Sequence, residues 1–168
     1  EWQGLLALKE HTHLKTPKLF ICEQDFLLMQ KVSTQPATRA FWQNFAVDLA
    51  RSHQEQQRLI GWEQDNFLGA SPQLNTPKIS DATSHDWADF FLEKRLKFHV
   101  NRLGTNGHEF NKQFHAKETA IWQALAAVSE PFCLLHGDLW NGNYLCTMDD
   151  EAVVIDPAVY WGSREAEF

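Results

Sequence analysis

The chain has 168 residues, 43% of them apolar, including seven tryptophans and twelve phenylalanines. That is bulky material enough for the core of one domain, or for a large part of a somewhat bigger protein. The net charge of −7, without a run of five or six like charges, argues against a nucleic-acid surface built on basic patches; no apolar run approaches the length of a membrane span.

An anionic cofactor such as ATP stays compatible with this acidity, because a divalent metal can bring the positive charge. Cys22, Cys133 and Cys146 are odd in number and sit in apolar contexts. They read as buried reduced thiols and point to a reducing compartment, the cytoplasm. The chain opens on Glu1 in what reads as the middle of a helix, and 164–168 read as the start of another. Both ends suggest a piece of a longer protein.

Residues 1–11 place Trp2, Leu5, Leu6 and Leu8 at near-helical spacing. Residues 18–22 and 25–29 read as two short strands around Glu23 and Gln24, and 33–37, with Pro36, as a linker. Phe41, Trp42, Phe45, Ala46, Leu49 and Ala50 form one apolar helix face. From 54 to 84 the pattern breaks up around Gly61, Gly69, Pro72 and Pro77, which predicts a long ordered loop or several short turns.

Thr83 with Asp86 three residues later is a capping-box signature. The helix it opens carries Trp87, Phe90, Phe91 and Leu96 inward, and Gly104 can end it. A further helix is expected from about 109 to 128, with Phe110, Phe114, Ile121, Leu125 and Val128 on one side. Then 132–135, 144–146 and 152–155 read as short strands, the last two joined by the polar turn 147–151.

The densest chemistry lies in His136-Gly137-Asp138-Leu139-Trp140-Asn141-Gly142-Asn143, between two predicted strands. H-x-D-x-x-x-x-N is the pattern of protein-kinase catalytic loops, where the Asp handles the acceptor hydroxyl and the Asn binds a metal. Phosphoryl transfer needs a carboxylate beside the attacking hydroxyl and oxygen ligands on a nearby magnesium. Glycines at 137 and 142 let the loop turn sharply enough to aim Asp138 and Asn143 into one cleft. If the two following strands pair as a hairpin, Asn143 and Asp156 lie together at its open end, with directly opposed α-carbons roughly 4.5–5.5 Å apart. Pro157 keeps Asp156 out of the helical region. Asn143 and Asp156 offer hard oxygens, which suit magnesium rather than zinc.

Other residues read more plainly. His11 and His13 lack a third ligand for a metal site. His136 supports the loop by hydrogen bonding, and Asp149-Asp150-Glu151 is a solvated hairpin tip. Arg164 and Glu165 brace the site.

The string H-G-D-L-W-x-G-N, followed by Ile155-Asp156-Pro157-Ala158-Val159-Tyr160-Trp161-Gly162-Ser163-Arg164-Glu165, resembles the fructosamine kinase family. Asp65-Asn66-Phe67-Leu68-Gly69 with Pro72, Gln73 and Asn75 resembles a second family segment. Asp86 and Trp87 with Phe90, Phe91, Glu93, Arg95 and Leu96 resemble a third. The resemblance implies an α+β, protein-kinase-like fold, near that of aminoglycoside and choline phosphotransferases. Residues 1–32 would be a remnant of the N-terminal lobe and hinge, and 33–168 a mostly helical C-terminal lobe, truncated at its end. It implies ATP and magnesium as cofactors and a small-molecule or protein-bound ketosamine as acceptor, a sugar joined to an amine by glycation.

By the same resemblance Asp138 is the catalytic base, Asn143 and Asp156 hold magnesium, and Gln30-Lys31-Val32 is the hinge that meets adenine. Met29 sits just before that hinge; without this assignment Gln30 and Lys31 read as an exposed turn. Glu1 matches the helix glutamate that pairs with the ATP-binding lysine. That lysine and the glycine-rich loop would precede residue 1, so turnover by the chain as it stands is not expected. Trp140 has two readings: a face for a sugar ring, or a packing residue between loop and helix. Two rival functions stand beside the ketosamine kinase: an aminoglycoside- or choline-type phosphotransferase, and a non-catalytic kinase-like protein that binds nucleotide.

Overall fold

A computed structural model describes residues 1–127 and 131–168. In chain order its helices and strands are α1 (Trp2–His11), β1 (Leu19–Cys22), β2 (Leu27–Met29), α2 (Arg39–Ser52), β3 (Gln56–Gln57), β4 (Leu59–Ile60), β5 (Asn66–Leu68), β6 (Ser71–Gln73), β7 (Ile79–Ser80), α3 (Ser84–Phe91), α4 (Phe98–Asn101), α5 (His108–Ala126), β8 (Phe132–Leu135), β9 (Tyr144–Cys146), β10 (Ala152–Val154) and β11 (Tyr160–Gly162). A π-helical turn, Leu92–Lys97, joins α3 to α4, and 3-10 turns occupy Gly104–Gly107 and Arg164–Glu167. The chain divides into two compact units: residues 1–56, 133–160 and 164–168 in the first, 57–132 and 161–163 in the second.

In the first unit, α1 buries Gly4, Leu5, Ala7 and Leu8. Gly4 is needed for a close approach: a Cβ there would stand 3.0 Å from Cγ of Pro157. The start of α1 is thereby laid against the segment that carries Asp156. Leu6 falls off this stripe and is exposed. Strands β1 and β2 pair antiparallel with an irregularity between Leu19 and Ile21. Cys22, expected inside, is exposed there; Cys133 and Cys146 are buried, and all three are free thiols. A four-residue hairpin strand with one face open cannot hide every apolar side chain it carries.

Thr38 caps α2, its hydroxyl accepting from the Phe41 N–H at 3.1 Å. Phe41 and Phe45 are buried, and both stack near Tyr144 of β9, with ring centroids 5.9 and 5.2 Å away. Trp42 is 48% exposed and only its edge meets Tyr144. The apolar face of α2 is therefore narrower than its composition suggests.

The turn between β9 and β10 is a tie point rather than a solvated tip. Asp150, with φ +59°, accepts from Gln35 Nε2 at 3.0 Å and from Thr38 Oγ1 at 2.7 Å, and its carbonyl accepts from Asn44. Glu151 pairs with Lys15. A buried or half-buried acceptor flanked by loop donors is satisfied locally, which fastens 34–44 onto β9.

In the second unit, the stretch 54–84 is more regular than its punctuation implies. It holds two small antiparallel pairs, β4 with β7 and β5 with β6. Asp65 bridges the second of these to the next turn: its Oδ1 accepts from the N–H groups of Asn75 (2.7 Å) and Thr76 (3.0 Å) and from the Thr76 hydroxyl (3.0 Å). The Thr76–Pro77 peptide is cis. Asn66 Oδ1 accepts from Gln73 (2.8 Å) and Asn75 (2.9 Å).

Both halves of the predicted capping box of α3 form, Thr83 accepting from Asp86 N–H and Asp86 from Thr83 N–H. The π-helical turn widens the following coil. Leu92 and Arg95, three positions apart, are both buried within it. Arg95 donates to the Leu74 carbonyl at 2.5 Å and to Asn75 Oδ1 at 2.7 Å. Leu92, Val100 and Phe114 form a small core against which Leu96, Ile121, Trp122 and Leu125 pack. Phe110 in the first turn of α5 is 56% exposed; periodicity names a helix face but not how far its partner extends. Val128 lies outside the described residues.

Candidate functional site

Strand β8 is buried at all four positions and ends in the loop His136–Asn143. Gly137 has φ +80°, and a Cβ there would stand 2.1 Å from the Ala158 carbonyl oxygen. The backbone can make this turn beside the 156–160 segment only with glycine. The loop then tightens twice more: Trp140 N–H donates to the Asp138 carbonyl (3.1 Å), and Asn143 N–H to that of Trp140 (2.9 Å).

This folding brings Asp138 and Asn143 together. The Asn143 side-chain nitrogen donates to the Asp138 carbonyl at 2.8 Å and to the Asp138 carboxylate Oδ2 at 3.0 Å. Asn143 is buried and Asp138 half-buried. With its nitrogen committed to Asp138, the Asn143 amide has its oxygen as the remaining donor atom for a cation.

Asp156 is close to this pair but not in the register expected of it. Strands β9 and β10 pair Tyr144 with Val154, and the ladder carries on through Ile155 N–H to the Asn143 carbonyl at 3.0 Å. The residue opposite Asn143 is thus Ile155. Asp156 stands one position beyond, at φ +53°, and its carbonyl lies 3.5 Å from Asn143 Nδ2. A left-handed conformation at a non-glycine residue is costly, and Asp is among the few that tolerate it. It swings the Asp156 side chain, which is exposed, out of the ladder's alternation.

Glu1 meets Asp156 through the packing of α1. Its carboxyl is held above the ordinary carboxylate range, first by desolvation and then by the Asp156 charge, while an Asp156 N–H bond works the other way.

His136 is fully buried. Its Nε2 lies 2.9 Å from the Ile155 carbonyl, and its Nδ1 accepts the Asp138 N–H at 3.3 Å. These two partners require a proton on Nε2 and none on Nδ1, that is, the neutral ring. Burial lowers its pKa, outweighing the opposing charge of Glu167.

Glu167 is the residue that sequence reasoning missed. Its carboxylate accepts the backbone N–H of His136 at 2.8 Å and that of Gly137 at 3.0 Å. Its side chain is buried, with His53 Nε2 3.8 Å away. Gly137 pulls the loop off its strand and leaves two amides, one buried and one half-buried, needing an acceptor. That need is readable in sequence; which residue meets it is not.

Trp140 is 58% exposed. Met29 ends β2; Gln30 N–H donates to the Lys18 carbonyl at 2.8 Å, and Gln30 and Lys31 are exposed. Val32 is half-buried, and two residues later Thr34 bridges Thr147.

His13 pairs with Glu55 on the surface, and among the described residues no three His, Cys, Asp or Glu side chains are grouped to hold a metal. Asn143 and Asp156 each carry a side-chain oxygen, the hard donor type that suits magnesium. That ion keeps water and phosphate oxygens around it and needs few protein ligands.

The fructosamine kinase family model matches residues 1–168, the whole chain. The "Protein-ribulosamine 3-kinase, chloroplastic" of Arabidopsis thaliana is 40% identical over 114 residues, 65% of this chain and 32% of its own length. The "Probable ketoamine kinase YniA" of Escherichia coli K12 is 33% identical over 173 residues, 99% of this chain and 57% of its own. A solved structure described as a "putative fructosamine-3-kinase" from Thermobifida fusca superposes with a TM-score of 0.83 at 32% identity, over 98% of this chain and 56% of that one. The chain thus spans from about a third to just over half the length of these relatives. It has their mixed helix-and-sheet fold, and no described helix is long and apolar enough to cross a membrane. The chain belongs to the fructosamine kinase family.

Proposed function

We propose that the protein phosphorylates a sugar hydroxyl of ketosamines at the expense of ATP, a repair of glycation. The observation that carries this reading is the Asn143–Asp138 contact at 3.0 Å, set in a loop whose backbone is tied at both ends, in a chain of this family. The named activities of the relatives, a ribulosamine 3-kinase and a ketoamine kinase, support the acceptor class.

In this reading Asp138 accepts or orients the proton of the attacking hydroxyl. Positioning of that kind is typically worth on the order of 10²–10⁴ in rate. Asn143 steadies the Asp138 carboxylate through its nitrogen and, with Asp156, is the residue that would hold magnesium. Bound there, the ion would supply the positive charge that phosphoryl transfer needs. The neutral His136 and the buried Glu167 carboxylate keep the loop backbone in place, so that Asp138 needs no reorganisation when the acceptor arrives. Trp140 offers an exposed aromatic face beside Asp138 for the sugar ring. Met29 and Gln30-Lys31-Val32, between β2 and the Thr34 bridge, are proposed to meet adenine, with residues 1–32 as part of an N-terminal lobe. Glu1 is proposed to lie on the nucleotide side, a reading its interaction with Asp156 supports. Free thiols fit a reducing compartment, the cytoplasm among them.

The test is ATP consumption by the full-length protein with a fructosamine, a ribulosamine, an aminoglycoside and choline, and Asp138→Asn as control. Turnover confined to the ketosamines and lost in the variant is the expected result. Turnover on choline or the aminoglycoside would move the substrate class, and ATP binding without turnover would favour a nucleotide-binding shell.

A further inference from the structure

The loop has a second glycine whose role differs from that of Gly137. Gly142 is not among the residues of positive φ, so its backbone conformation is open to any amino acid. What leaves no room for a side chain is the Trp140 indole. A Cβ at 142 would stand 2.4 Å from Cζ2, 2.5 Å from Cη2 and 2.9 Å from Cε2 of that ring. These are atoms of the six-membered ring, which therefore lies directly on the Gly142 α-carbon.

The backbone of Trp140 is already fixed, by its N–H to Asp138 and by its carbonyl to Asn143. Its remaining freedom is rotation of the side chain. More than half of the residue is exposed, so the surrounding protein restrains that rotation little. The flat seat at Gly142 is what holds the ring down along the loop.

We propose that Gly142 is a positioning residue for the acceptor: its missing side chain sets the orientation of Trp140 and so the sugar-binding face next to Asp138. The proposal rests on the reading of Trp140 as an acceptor contact. It is separable from that reading because the position of the ring can be measured without turnover.

The variant is Gly142→Ala in the full-length protein. Its Cβ meets the exposed Trp140 ring first, so the ring is expected to move while the fold stays. Gly137→Ala, by contrast, collides with backbone and serves as the variant that unfolds the loop. The ring is followed by ¹⁹F NMR of protein carrying 5-fluorotryptophan, with Trp140→Phe assigning the Trp140 signal among those of the other tryptophans.

In Gly142→Ala the Trp140 resonance is expected to shift while the melting curve stays two-state. KM for the ketosamine is expected to rise about tenfold, the effect of losing one aromatic contact, with KM for ATP within about twofold. In a Trp140→Ala background the same substitution should have no further effect on KM, because the ring it would displace is gone.

An unmoved Trp140 signal would overturn the seat itself. An equal kinetic effect of Gly142→Ala with and without Trp140 would overturn the route through the ring. A moved signal with an unchanged ketosamine KM, in both Gly142→Ala and Trp140→Ala, would leave the seat standing and overturn its role in acceptor binding, together with the reading of Trp140 beneath it.

Discussion

Glu167 and His136 are 31 positions apart in sequence, yet the Glu167 carboxylate accepts the His136 backbone N–H at 2.8 Å and, with its other oxygen, that of Gly137 at 3.0 Å. One buried side chain thereby closes both amides that the glycine turn leaves open. The carboxylate carries no reacting atom in the proposed mechanism. Its effect on chemistry passes through the backbone that aims Asp138.

Glu167→Ala should therefore destabilise the protein strongly. Two amides lose their acceptor, the buried one of His136 at roughly 1–3 kcal/mol and the half-buried one of Gly137 at less. Thermal unfolding measures the loss. Glu167→Gln should fall between, because an amide oxygen can accept one N–H while its own nitrogen faces the other. An alanine variant with the parent's melting temperature would show that water replaces the carboxylate at no cost.

Asp138→Asn should behave in the opposite way. The asparagine oxygen can still accept from Asn143 Nδ2, so the melting temperature should hardly change. Turnover should drop by about 10²–10⁴, since the amide cannot take a proton. ATP affinity, followed by calorimetry, should stay near that of the parent. A variant with near-normal kcat would remove Asp138 from the chemistry.

The strain at Asp156 allows a sharper separation of stability from function. Its φ of +53° is better suited to glycine than to any side chain. Asp156→Gly should be neutral or stabilising in thermal unfolding, by up to about 1 kcal/mol. The same change removes a carboxylate, so activity and its magnesium response should fall together. Magnesium titrations of activity that superpose on the parent's would rule out Asp156 as a ligand.

How much of this was legible in the sequence depended on distance along the chain. The loop residues were readable because a glycine turn and its two polar side chains lie within eight positions. The hairpin was readable too, but its end was not: one further ladder bond, from Ile155 to the Asn143 carbonyl, moved Asp156 a position beyond the expected pairing. Apolar periodicity located α2 and α5 but overstated the buried faces, with Trp42 and Phe110 outside them. Glu167 left no local trace, because its partners are backbone amides on another segment. The Asp65–Asn75 segment was recognised only as a resemblance. Its physical task becomes visible in the structure, where Arg95, distant in sequence, donates to the Leu74 carbonyl and to Asn75 Oδ1.

That brace makes a prediction of its own. Arg95 caps two acceptors, the Leu74 carbonyl and Asn75 Oδ1, in surroundings where it is itself buried. Arg95→Met fills much of the same volume but donates nothing. It should cost roughly 1–3 kcal/mol for each acceptor left without a donor. Arg95→Lys, which can reach one of them, should cost less. Denaturant unfolding with unchanged slope would measure both, and equal midpoints for parent and Arg95→Met would refute the brace.

The last prediction concerns pH. Burial lowers the pKa of His136 from its ordinary value of about 6.5. Below that value the unfolded chain binds a proton that the folded ring refuses, so the unfolded state holds more protons and stability rises with pH. The contribution is complete above about pH 6.5 and is lost as the pH falls toward the folded-state pKa. The geometry gives the reason: protonation of Nδ1 would place a second N–H against the Asp138 N–H that it now accepts. His136→Gln can donate to Ile155 and accept from Asp138 without titrating. It should be less stable than the parent at neutral pH, because its longer and more flexible side chain fits the same two partners less well. Its melting temperature should also fall less steeply between about pH 7 and pH 5. The seven other histidines are common to both proteins, so the difference between the two curves isolates this ring. Parallel curves would mean that His136 titrates alike folded and unfolded, and that its burial does not keep it neutral.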